Sequence, residues 1–485
     1  MSGDIFWRRR GRDELVSWQL AKLRAFLANR VLPYSAFHRQ RFEQAGLDPA
    51  DLRTLKDLER LPLMSKADIA PDAANPQRWR GIVLQPTAEK LKESLSLGAK
   101  ARMAWRSLGR GESLRDQLYD EFLPVHLTFT TGRSALATPV LYTPRDLALH
   151  RLAAARIFAL SGVRRGEDTG VNLFPFAPHL AFWQVAFAGF EAGLLVVNTG
   201  GGRVMGSQGI LRLLDRMQPT LLIGTPGYVY HLVQLGKEQG LRLPRLRIIV
   251  LGAERVNEGY RDKLRQNLAL LGAGEVRVLA TYGMTEAKKA WIQAEEGGRY
   301  ITYPDMELFE IIDPATGQQV AEGAAGEVVY TMLDGSGSVF LRYRTGDLAS
   351  AGLVYARCGA IGRVAPQVSE NVRRVSEIRK VKDTLLDLNE LHLMLQSLPE
   401  IVEWQVELRK RNDDPFDLDE MWVKLALREG VDEQVIKQRL DREMLTRYEL
   451  QFDRFLFYSR EDLAQLLKLD DAPKELRIVD LREKE

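Results

Sequence analysis

The feature that most constrains the fold is a series of short apolar runs separated by longer helical patterns. The runs are Val171–Phe174, Leu194–Val197, Thr220–Ile223, Leu246–Leu251 and Val276–Ala280. Short apolar runs without polar alternation are typical of strands buried on both faces, and intervening helices allow such strands to run parallel. The sequence therefore predicts a largely parallel sheet with helices on both faces.

The segment after residue 300 has a different pattern. Glu307–Ile312, Gly326–Met332 and Ser338–Tyr343 are β-rich, and the turn signals Asp313–Gly317 and Asp334–Gly335 separate them. Short strands joined by Asp-Gly or Asp-Pro-containing turns are typical of antiparallel sheet. A small antiparallel part is therefore predicted beside the parallel sheet.

The length of 485 residues suggests about three domains, or one large and one small domain. Near the N-terminus, Val16, Leu20, Leu23 and Leu27 recur at the spacing of one helix face, which predicts a helix over residues 13–30. We predict an α/β fold: a large N-terminal domain over residues 1–373, and a small, mobile α+β C-terminal domain over residues 374–485.

Charge and cysteine content exclude several classes of protein. The chain has 68 Lys and Arg against 65 Asp and Glu, a net charge of +3, which is too small an excess to predict a nucleic-acid partner. A single cysteine, Cys358, excludes an intramolecular disulfide and a Cys-rich zinc site.

The most apolar stretch, Leu180–Val197, contains Gln184 and Glu191 and is expected to form a buried helix and a buried strand rather than a membrane span. We expect a soluble cytoplasmic protein.

Four motifs carry chemistry. Thr128–Arg133 combines hydroxyls, a glycine and an arginine in a turn that could cradle phosphate oxygens. Tyr282–Glu286 follows a predicted buried strand, where a carboxylate can hold Mg²⁺. Tyr343–Asp347 offers an Asp, fixed by a tight turn, that can accept both hydroxyls of a ribose, and Gly252–Glu254 closes another strand. Each motif alone is more often an ordinary turn or strand–loop–helix junction, but their order and strand-end positions together favour a nucleotide site.

Together the motifs resemble those of the adenylate-forming superfamily of acyl- and aryl-CoA synthetases, and specifically its phenylacetate–CoA ligase-like branch. Thr128–Gly132 is similar to the family's phosphate loop, Tyr282–Glu286 to its Tyr-Gly-x-Thr-Glu motif, and Tyr343–Asp347 to its Tyr-Arg-Thr-x-Asp motif. Gly252–Glu254 resembles the Gly-Ala-Glu that borders the adenine, and Leu61–Asp68 resembles a further segment of this branch. The resemblance covers most of the chain.

The resemblance implies an ATP-dependent carboxylate ligase that works in two half-reactions. A carboxylate attacks the α-phosphate of ATP to give an acyl- or aryl-adenylate and pyrophosphate, and a nucleophile, usually the thiol of coenzyme A, then takes the acyl group. ATP, Mg²⁺ and coenzyme A are the implied cofactors. An amine or a carrier-protein thiol as acceptor, an adenylate-only enzyme, and a non-catalytic relative that binds nucleotide or acyl ligand remain alternatives.

The same resemblance implies roles for individual residues. Thr285 would contact the α-phosphate, Glu286 would ligate Mg²⁺, and Lys474, in a segment that resembles the family's catalytic Lys region, would neutralise charge at the attacking carboxylate. An alternative interpretation of Lys474 is a solvated surface lysine. Ser376 falls at the hinge position. The implied ATP-binding residues are Thr128, Thr130, Thr131, Gly132, Arg133, Gly252, Ala253, Glu254, Thr281, Tyr282, Gly283, Asp347 and Arg374.

Departures from the family pattern keep the non-catalytic alternative open. Phe129 occupies a position that is Gly in the family's phosphate loop, and Phe cannot adopt positive φ as freely as Gly. The loop also lacks the usual Pro and Lys after Gly132 and is longer, through Ser134–Thr138. At the hinge, Ser376 replaces the family's Asp or Lys, although a hinge residue needs only to absorb a φ/ψ change.

An aromatic segment is the candidate acyl pocket. Phe176, His179 and Phe182 lie in or just after Phe174–His179, and aromatic walls suit a flat aryl acid. The alternative is a helix that packs its aromatic residues into the core, with His179 as a hydrogen-bonded core histidine. We therefore expect a small-molecule carboxylic acid, aromatic in character, as substrate. The resemblance also allows a homodimer.

Overall fold

The computed structural model describes residues 5–8, 11–71, 74–86, 121–130, 138–374, 378–382, 384–413, 418–467 and 477–482, with isolated residues between 101 and 117. The chain divides into two compact units. Unit 1 comprises Met1–Glu167, Pro178–Leu195 and Thr281–Val372, and unit 2 comprises Asp168–Ala177, Val196–Ala280 and Arg373–Glu485.

The described elements alternate between helices and strands through the middle of the chain. The α-helices are α1 (Arg12–Phe26), α2 (Leu32–Tyr34), α3 (Ala36–Gln44), α4 (Pro144–Leu160), α5 (Leu180–Ala192), α6 (Gly202–Met217), α7 (Pro226–Glu238), α8 (Glu258–Leu270), α9 (Leu388–Ser397), α10 (Glu433–Tyr448) and α11 (Arg460–Leu467). The strands are β1 (His126–Phe129), β2 (Pro139–Tyr142), β3 (Thr169–Asn172), β4 (Leu195–Asn198), β5 (Leu221–Gly224), β6 (Ile248–Leu251), β7 (Arg277–Met284), β8 (Lys289–Ile292), β9 (Tyr300–Ile301), β10 (Glu307–Ile312), β11 (Gly326–Met332), β12 (Tyr343–Ala349), β13 (Leu353–Cys358), β14 (Arg363–Val368), β15 (Val372–Arg374), β16 (Ile378–Val381), β17 (Thr384–Asp387), β18 (Ile401–Lys410), β19 (Asp419–Leu427), β20 (Arg454–Phe457) and β21 (Ile478–Asp480). This mixture confirms the predicted α/β class.

The predicted parallel sheet is present in unit 2. Its strands lie in the order β4-β3-β5-β6-β7, and each predicted apolar run contributes one strand. Strands β5, β6 and β7 pair in parallel, with Leu221 opposite Ile248 and Ile248 opposite Arg277. Strands β5 and β6 are buried throughout, as expected for the centre of a sheet with covered faces.

Strand β4 differs from the prediction. Leu180–Val197 does form a helix and a strand, but β4 lies at the sheet edge, and the side chain of Leu195 is 64% exposed. The expectation of a buried strand is wrong because an edge strand has a neighbour on one side only. Its apolar composition does not distinguish it from the central strands.

Helices α6, α7 and α8 build the core of the parallel sheet. Leu211, Val229 and Leu264 from these helices are buried against strand residues that include Leu222 and Ile249. A second core in unit 2 belongs to the sheet β20-β19-β18-β21, whose central pair is antiparallel. Its buried residues include Leu391, Leu395, Val406, Val423 and Leu440.

Unit 1 contains the predicted antiparallel part. Strands β10 and β11 have the predicted bounds and pair antiparallel within the order β10-β11-β12-β15. The third predicted strand, Ser338–Tyr343, is wrong, since β12 begins only at Tyr343. Arg342 has a φ of 46°, which breaks the extended run, and its guanidinium pairs with the buried carboxylate of Glu310 at 2.9 Å.

Helix α1 confirms the N-terminal helix prediction, with Leu20 and Leu23 buried on its inner face. The regular α-helix ends at Phe26, and a π-helical turn, Leu27–Val31, follows it. Helix α4 begins with a capping box, in which Thr143 accepts from the backbone N–H of Asp146, and the Asp146 carboxylate accepts from that of Thr143.

Gly352 allows a test of the backbone packing in unit 1. Its φ is 50°, and a Cβ placed there would lie 2.2 Å from the carbonyl oxygen of Ala324. We expect Gly352→Ala to lower the free energy of unfolding by about 2–4 kcal/mol, because the left-handed backbone and the close carbonyl oxygen both disfavour a side chain. Urea denaturation followed by tryptophan fluorescence measures this change. Gly274→Ala is the matched control, since a Cβ at Gly274 meets nothing within 4 Å, and an equal effect of both variants would contradict the expectation.

His150 predicts a pH dependence of stability. Burial lowers the pKa of His150 to about 4, and its Nδ1 lies 2.6 Å from the carbonyl oxygen of Lys288. In the unfolded chain a histidine has a pKa of about 6.5, so between these values the unfolded state binds the extra proton, and stability falls as pH drops. We expect this residue to remove about 2 kcal/mol of the free energy of unfolding between pH 7.5 and pH 5.

The measurement is urea denaturation of the wild type and of His150→Asn at both pH values. The variant should lose less stability on acidification than the wild type, whatever its stability at neutral pH. Identical pH dependence in the two proteins would contradict the assignment of a buried neutral imidazole.

Candidate functional site

The Tyr282–Glu286 motif lies in a hairpin of unit 1. Strand β7 continues through Met284, the chain turns over residues 285–288, and β8 returns antiparallel, with Tyr282 opposite Trp291 and Gly283 opposite Ala290. The backbone N–H of Lys288 donates to the carbonyl oxygen of Thr285 at 2.9 Å, which closes the turn. The alternative of a strand–loop–helix junction at this motif is therefore wrong.

Two buried ion pairs anchor this turn. The ammonium of Lys288 lies 2.8 Å from the carboxylate of Asp146, and both side chains are less than 5% exposed. The next residue, Lys289, pairs with Glu307 at 3.1 Å, and Glu307 also accepts from the indole N–H of Trp291 at 2.9 Å. Charges buried this deeply are costly unless paired, so the turn cannot shift without separating them.

Two hydroxyl–carboxylate bonds bring the Tyr282–Glu286 and Tyr343–Asp347 motifs together. The hydroxyl of Tyr282 donates to Oδ2 of Asp347 at 2.7 Å. In the reciprocal direction, the hydroxyl of Tyr343 donates to Oε1 of Glu286 at 2.8 Å. Each motif thus supplies the donor for the other motif's carboxylate, and the positions of Glu286 and Asp347 are fixed relative to one another.

Asp347 is not in a tight turn, which corrects the prediction. It lies inside β12, where the pairing with β11 shifts register between Glu327 and Val329. Gly346 has a φ of 71°, and its backbone N–H donates to Glu327 at 3.1 Å. This irregularity has the character of a β-bulge, which re-aims the following side chain. The Gly-Asp pair predicted a tight turn after a strand, because Gly before Asp is common both in such turns and in bulges.

The predicted phosphate loop is described only at its two ends. Thr128 lies in β1, is 1% exposed, and donates from its hydroxyl to that of Tyr142 at 3.3 Å. The backbone N–H of Thr130 donates to the carbonyl oxygen of Thr138, and the Thr130 hydroxyl accepts from the backbone N–H of Thr138, both at 3.1 Å. Thr128 and Thr130 therefore form the neck of the loop, and Thr131, Gly132 and Arg133 lie outside the described residues.

The aromatic segment lies beside this neck. The backbone N–H of Phe129 donates to the carbonyl oxygen of Pro178 at 2.8 Å, which joins β1 to the start of α5. His179 is the N-cap residue of α5 and is half-buried, and this burial lowers its pKa. Phe182, one turn further, is buried and packs edge-to-face on Trp183 with ring centroids 5.5 Å apart. His179 and Phe182 thus share unit 1 with Glu286 and Asp347.

Three further sets of described candidates belong to unit 2, namely Gly252–Glu254, Phe176 and Arg374. Gly252–Glu254 follows the carboxyl end of β6, and Phe176 follows that of β3, so both lie at one edge of the parallel sheet, where ligands commonly bind. Ala253 has a φ of 71°, an unusual value for a residue with a side chain. Phe176 is 61% exposed, and Arg374 is exposed at the end of β15.

Three further predicted residues, Thr281, Gly283 and Thr285, lie in the hairpin described above, at positions that are not fully buried. The predicted residues Ser376 and Lys474 lie outside the described part of the chain. In the part of the chain that the structure describes, no group of three or more His, Cys, Asp or Glu side chains could hold a metal ion.

Sequence reasoning missed the residues that support the site. Tyr343 belongs to the Tyr343–Asp347 motif, but its bond to Glu286 joins residues 57 apart, which spacing alone does not reveal. Asp146 carried a local signal, since Thr143-x-x-Asp146 is a capping box. Nothing in the sequence pairs Asp146 with Lys288.

The comparisons with known proteins agree with the motifs. The family model described as AMP-binding enzyme matches residues 125–342. The phenylacetate–coenzyme A ligase of Thermus thermophilus is 26% identical, covering 93% of this chain and 88% of the relative. That of Escherichia coli K12 is 23% identical, covering 86% of this chain and 84% of the relative.

Solved structures agree with the fold. The 2-hydroxyisobutyryl-CoA ligase in the postadenylation state, in complex with 2-HIB-AMP, has a TM-score of 0.77 at 19% identity, covering 99% of this chain and 93% of that chain. The same protein with 2-HIB-AMP and CoA in the thioesterification state has a TM-score of 0.63 over the same shares. Among the described residues, no helix has the length and apolar character needed to cross a membrane. The chain is therefore similar to AMP-binding enzymes over residues 125–342, and to phenylacetate–coenzyme A ligases over most of its length.

Proposed function

We propose that this protein is an ATP-dependent carboxylate ligase that forms an acyl- or aryl-adenylate and then transfers the acyl group to the thiol of coenzyme A. The observation that carries the proposal is the reciprocal pair of bonds from Tyr282 to Asp347 and from Tyr343 to Glu286. These bonds hold two carboxylates in fixed positions, as positioning of a nucleotide and its metal ion requires. The relatives named as phenylacetate–CoA ligases support the same reaction class.

The first half-reaction joins two anions. An oxygen of the substrate carboxylate attacks the α-phosphorus of ATP, and the bond to the bridging oxygen breaks with release of pyrophosphate. Asp347 would accept the ribose hydroxyls, Thr285 would donate to the α-phosphate, and Lys474 would reduce the repulsion between the two anions. In the second half-reaction, the thiolate of coenzyme A attacks the acyl carbon, and AMP leaves with the oxygen that came from the acid.

Glu286 fits the role of a magnesium ligand. Its carboxylate is half-buried and already accepts one hydrogen bond, from Tyr343, which orients it. Mg²⁺ bound to a nucleotide commonly takes one or two carboxylates together with phosphate oxygens and water, so a site with a single protein carboxylate suffices. When bound, the ion would neutralise charge on the phosphates and polarise the α-phosphate.

The substrate we propose is a small carboxylic acid with an aromatic ring. Phe182 and the half-buried His179 support it, because they offer an apolar wall and one polar group within unit 1. Two relatives whose names specify phenylacetate support the aromatic character. The cytoplasm is the proposed location, supported by a single, buried cysteine, Cys358, and a homodimer is proposed from the family resemblance alone.

The proposed domain division stays at residue 373, with residues 374–485 as a C-terminal domain that pivots at Ser376. The support is that a separate core forms within this part, from residues such as Val406 and Leu440. Limited proteolysis would cut near residue 376 if this segment is an accessible hinge.

One observation favours the second candidate, a non-catalytic relative that binds nucleotide or acyl ligand. The backbone N–H groups of Phe129 and Thr130 donate to protein carbonyl oxygens, so the described start of the loop does not offer these two donors to a phosphate. A catalytic protein must then bind the β- and γ-phosphates with Thr131, Gly132, Arg133 and their neighbours. ATP binding without carboxylate-dependent chemistry would identify this second candidate.

The test is carboxylate-dependent ATP–pyrophosphate exchange with Mg²⁺ and a panel of aryl, heteroaryl and fatty acids. Exchange should appear with one class of acid, disappear in Glu286→Gln, and fall by about 100-fold in Lys474→Ala, because each variant removes a charge that the transition state needs. Glu429→Gln, a surface position remote from the motifs in sequence, is the matched control and should leave exchange unchanged.

The results of the exchange assay distinguish the ligase from the non-catalytic relative and test the role of Lys474 separately. Exchange that survives in Lys474→Ala would retain the ligase and reject Lys474 as the catalytic lysine. ATP binding with no exchange for any acid would reject the ligase and favour the non-catalytic relative.

A further inference from the structure

Helix α9 lies against the segment that the proposed function assigns to the adenine. Glu390 of α9 pairs with Arg255 at 3.2 Å. Two residues further, Nε2 of His392 lies 4.0 Å from Oε2 of Glu254. All four residues belong to unit 2, so a C-terminal helix faces two consecutive residues that follow β6.

The contact continues along the first turn of α8. The side chain of Asn257 caps α8 by accepting from the backbone N–H of Tyr260 at 2.8 Å. Its amide also donates to the carbonyl oxygen of Leu393 at 3.3 Å. Asn257 therefore fixes the start of α8 and holds α9 with the same side chain.

The two helices approach closely at a glycine. A Cβ placed on Gly259 would lie 2.7 Å from Cβ of Ser397, which is closer than two carbon atoms can pack. One turn on, the ammonium of Lys263 donates to the carbonyl oxygens of Gln396 and Ile401 at 3.2 and 2.6 Å. The end of α9 is thus bound at several consecutive points.

The Glu254 carboxylate is buried beside helix α9. Its side chain is 7% exposed, and that of His392 is 17% exposed. The imidazole packs edge-to-face on Trp404 with ring centroids 4.9 Å apart, which fixes its orientation. Next to Glu254, Ala253 holds a φ of 71°, a strained conformation that persists only where its surroundings determine it.

We propose that helix α9 positions the segment Gly252–Asn257 for nucleotide binding, with Glu390 and His392 as positioning residues that do not touch the nucleotide. This rests on the proposed function in one respect, the assignment of Gly252–Glu254 to the adenine. Loss of the α9 contact would let the strained segment relax, and the nucleotide would have to restore its bound conformation at a cost in affinity.

The experiment introduces a steric clash between α8 and α9 with one substitution and relieves it with a second. Gly259→Ala introduces the Cβ that meets Ser397, while alanine is favourable in helix α8 itself. Ser397→Gly removes the opposing Cβ at the last residue of α9, where glycine is tolerated. Equilibrium binding of ATP to the full chain is measured by calorimetry for the wild type, both single variants and the double variant.

We expect Gly259→Ala to raise the ATP Kd by about fivefold or more, which is the lower end of typical coupling between sites. The double variant should return towards the wild type. Gly209→Ala on α6 is the matched control, because the nearest atom to a Cβ there is at an ordinary 3.6 Å, and its ATP Kd should not change. His392→Ala and Glu390→Gln should each raise the ATP Kd by a smaller factor.

The readout separates positioning from general damage. In ATP–pyrophosphate exchange, the KM for ATP should rise in Gly259→Ala while the KM for the acid stays constant. An unchanged ATP Kd, equal changes in both KM values, or no recovery in the double variant would overturn the inference. Absence of exchange in the wild type, with the ATP Kd responding as expected, would overturn the proposed function and leave the inference standing, whereas absence of ATP binding would overturn both.

Discussion

The candidate site in unit 1 depends on the interactions of one buried carboxylate, that of Asp146. It accepts from the backbone N–H of Thr143 at the start of α4 and from that of Gly337 at 2.7 Å, and it pairs with Lys288 in the hairpin turn. Three segments distant in sequence therefore meet at one buried charge. Since an unpaired charge at this depth would be strongly unfavourable, the position of the turn that carries Glu286 is set by α4 rather than by the turn itself.

The candidate residues are held in place by different means in each unit. In unit 1, paired charges and hydroxyl–carboxylate bonds fix Glu286 and Asp347, so their geometry is determined before any ligand binds. In unit 2, Glu254 follows a central strand of the parallel sheet and is held from outside by α9. Rigid carboxylates suit a metal ion and a ribose, whereas a segment held by a C-terminal helix can respond to changes elsewhere in that helix.

The sequence predicted those parts of the fold that follow from local patterns. The parallel strands and β10 and β11 could be predicted, because apolar runs and turn residues report directly on them. The edge position of β4, the left-handed Arg342 before β12 and the bulge at Asp347 could not, since each depends on which segment lies alongside. For the candidate site, the motifs predicted Glu286 and Asp347, but the bonds from their tyrosine donors join residues far apart in sequence.

Transfer of a carboxylate oxygen to AMP is the central chemical claim, and isotope labelling measures it directly. The protein is supplied with ATP, coenzyme A and an acid that carries ¹⁸O in its carboxylate, and the AMP is analysed by mass spectrometry. Formation of an acyl-adenylate predicts AMP with one ¹⁸O, because the attacking oxygen stays on the α-phosphorus when the thiol displaces AMP. Acyl-CoA formation with the label in inorganic phosphate, or with unlabelled AMP, would contradict the account.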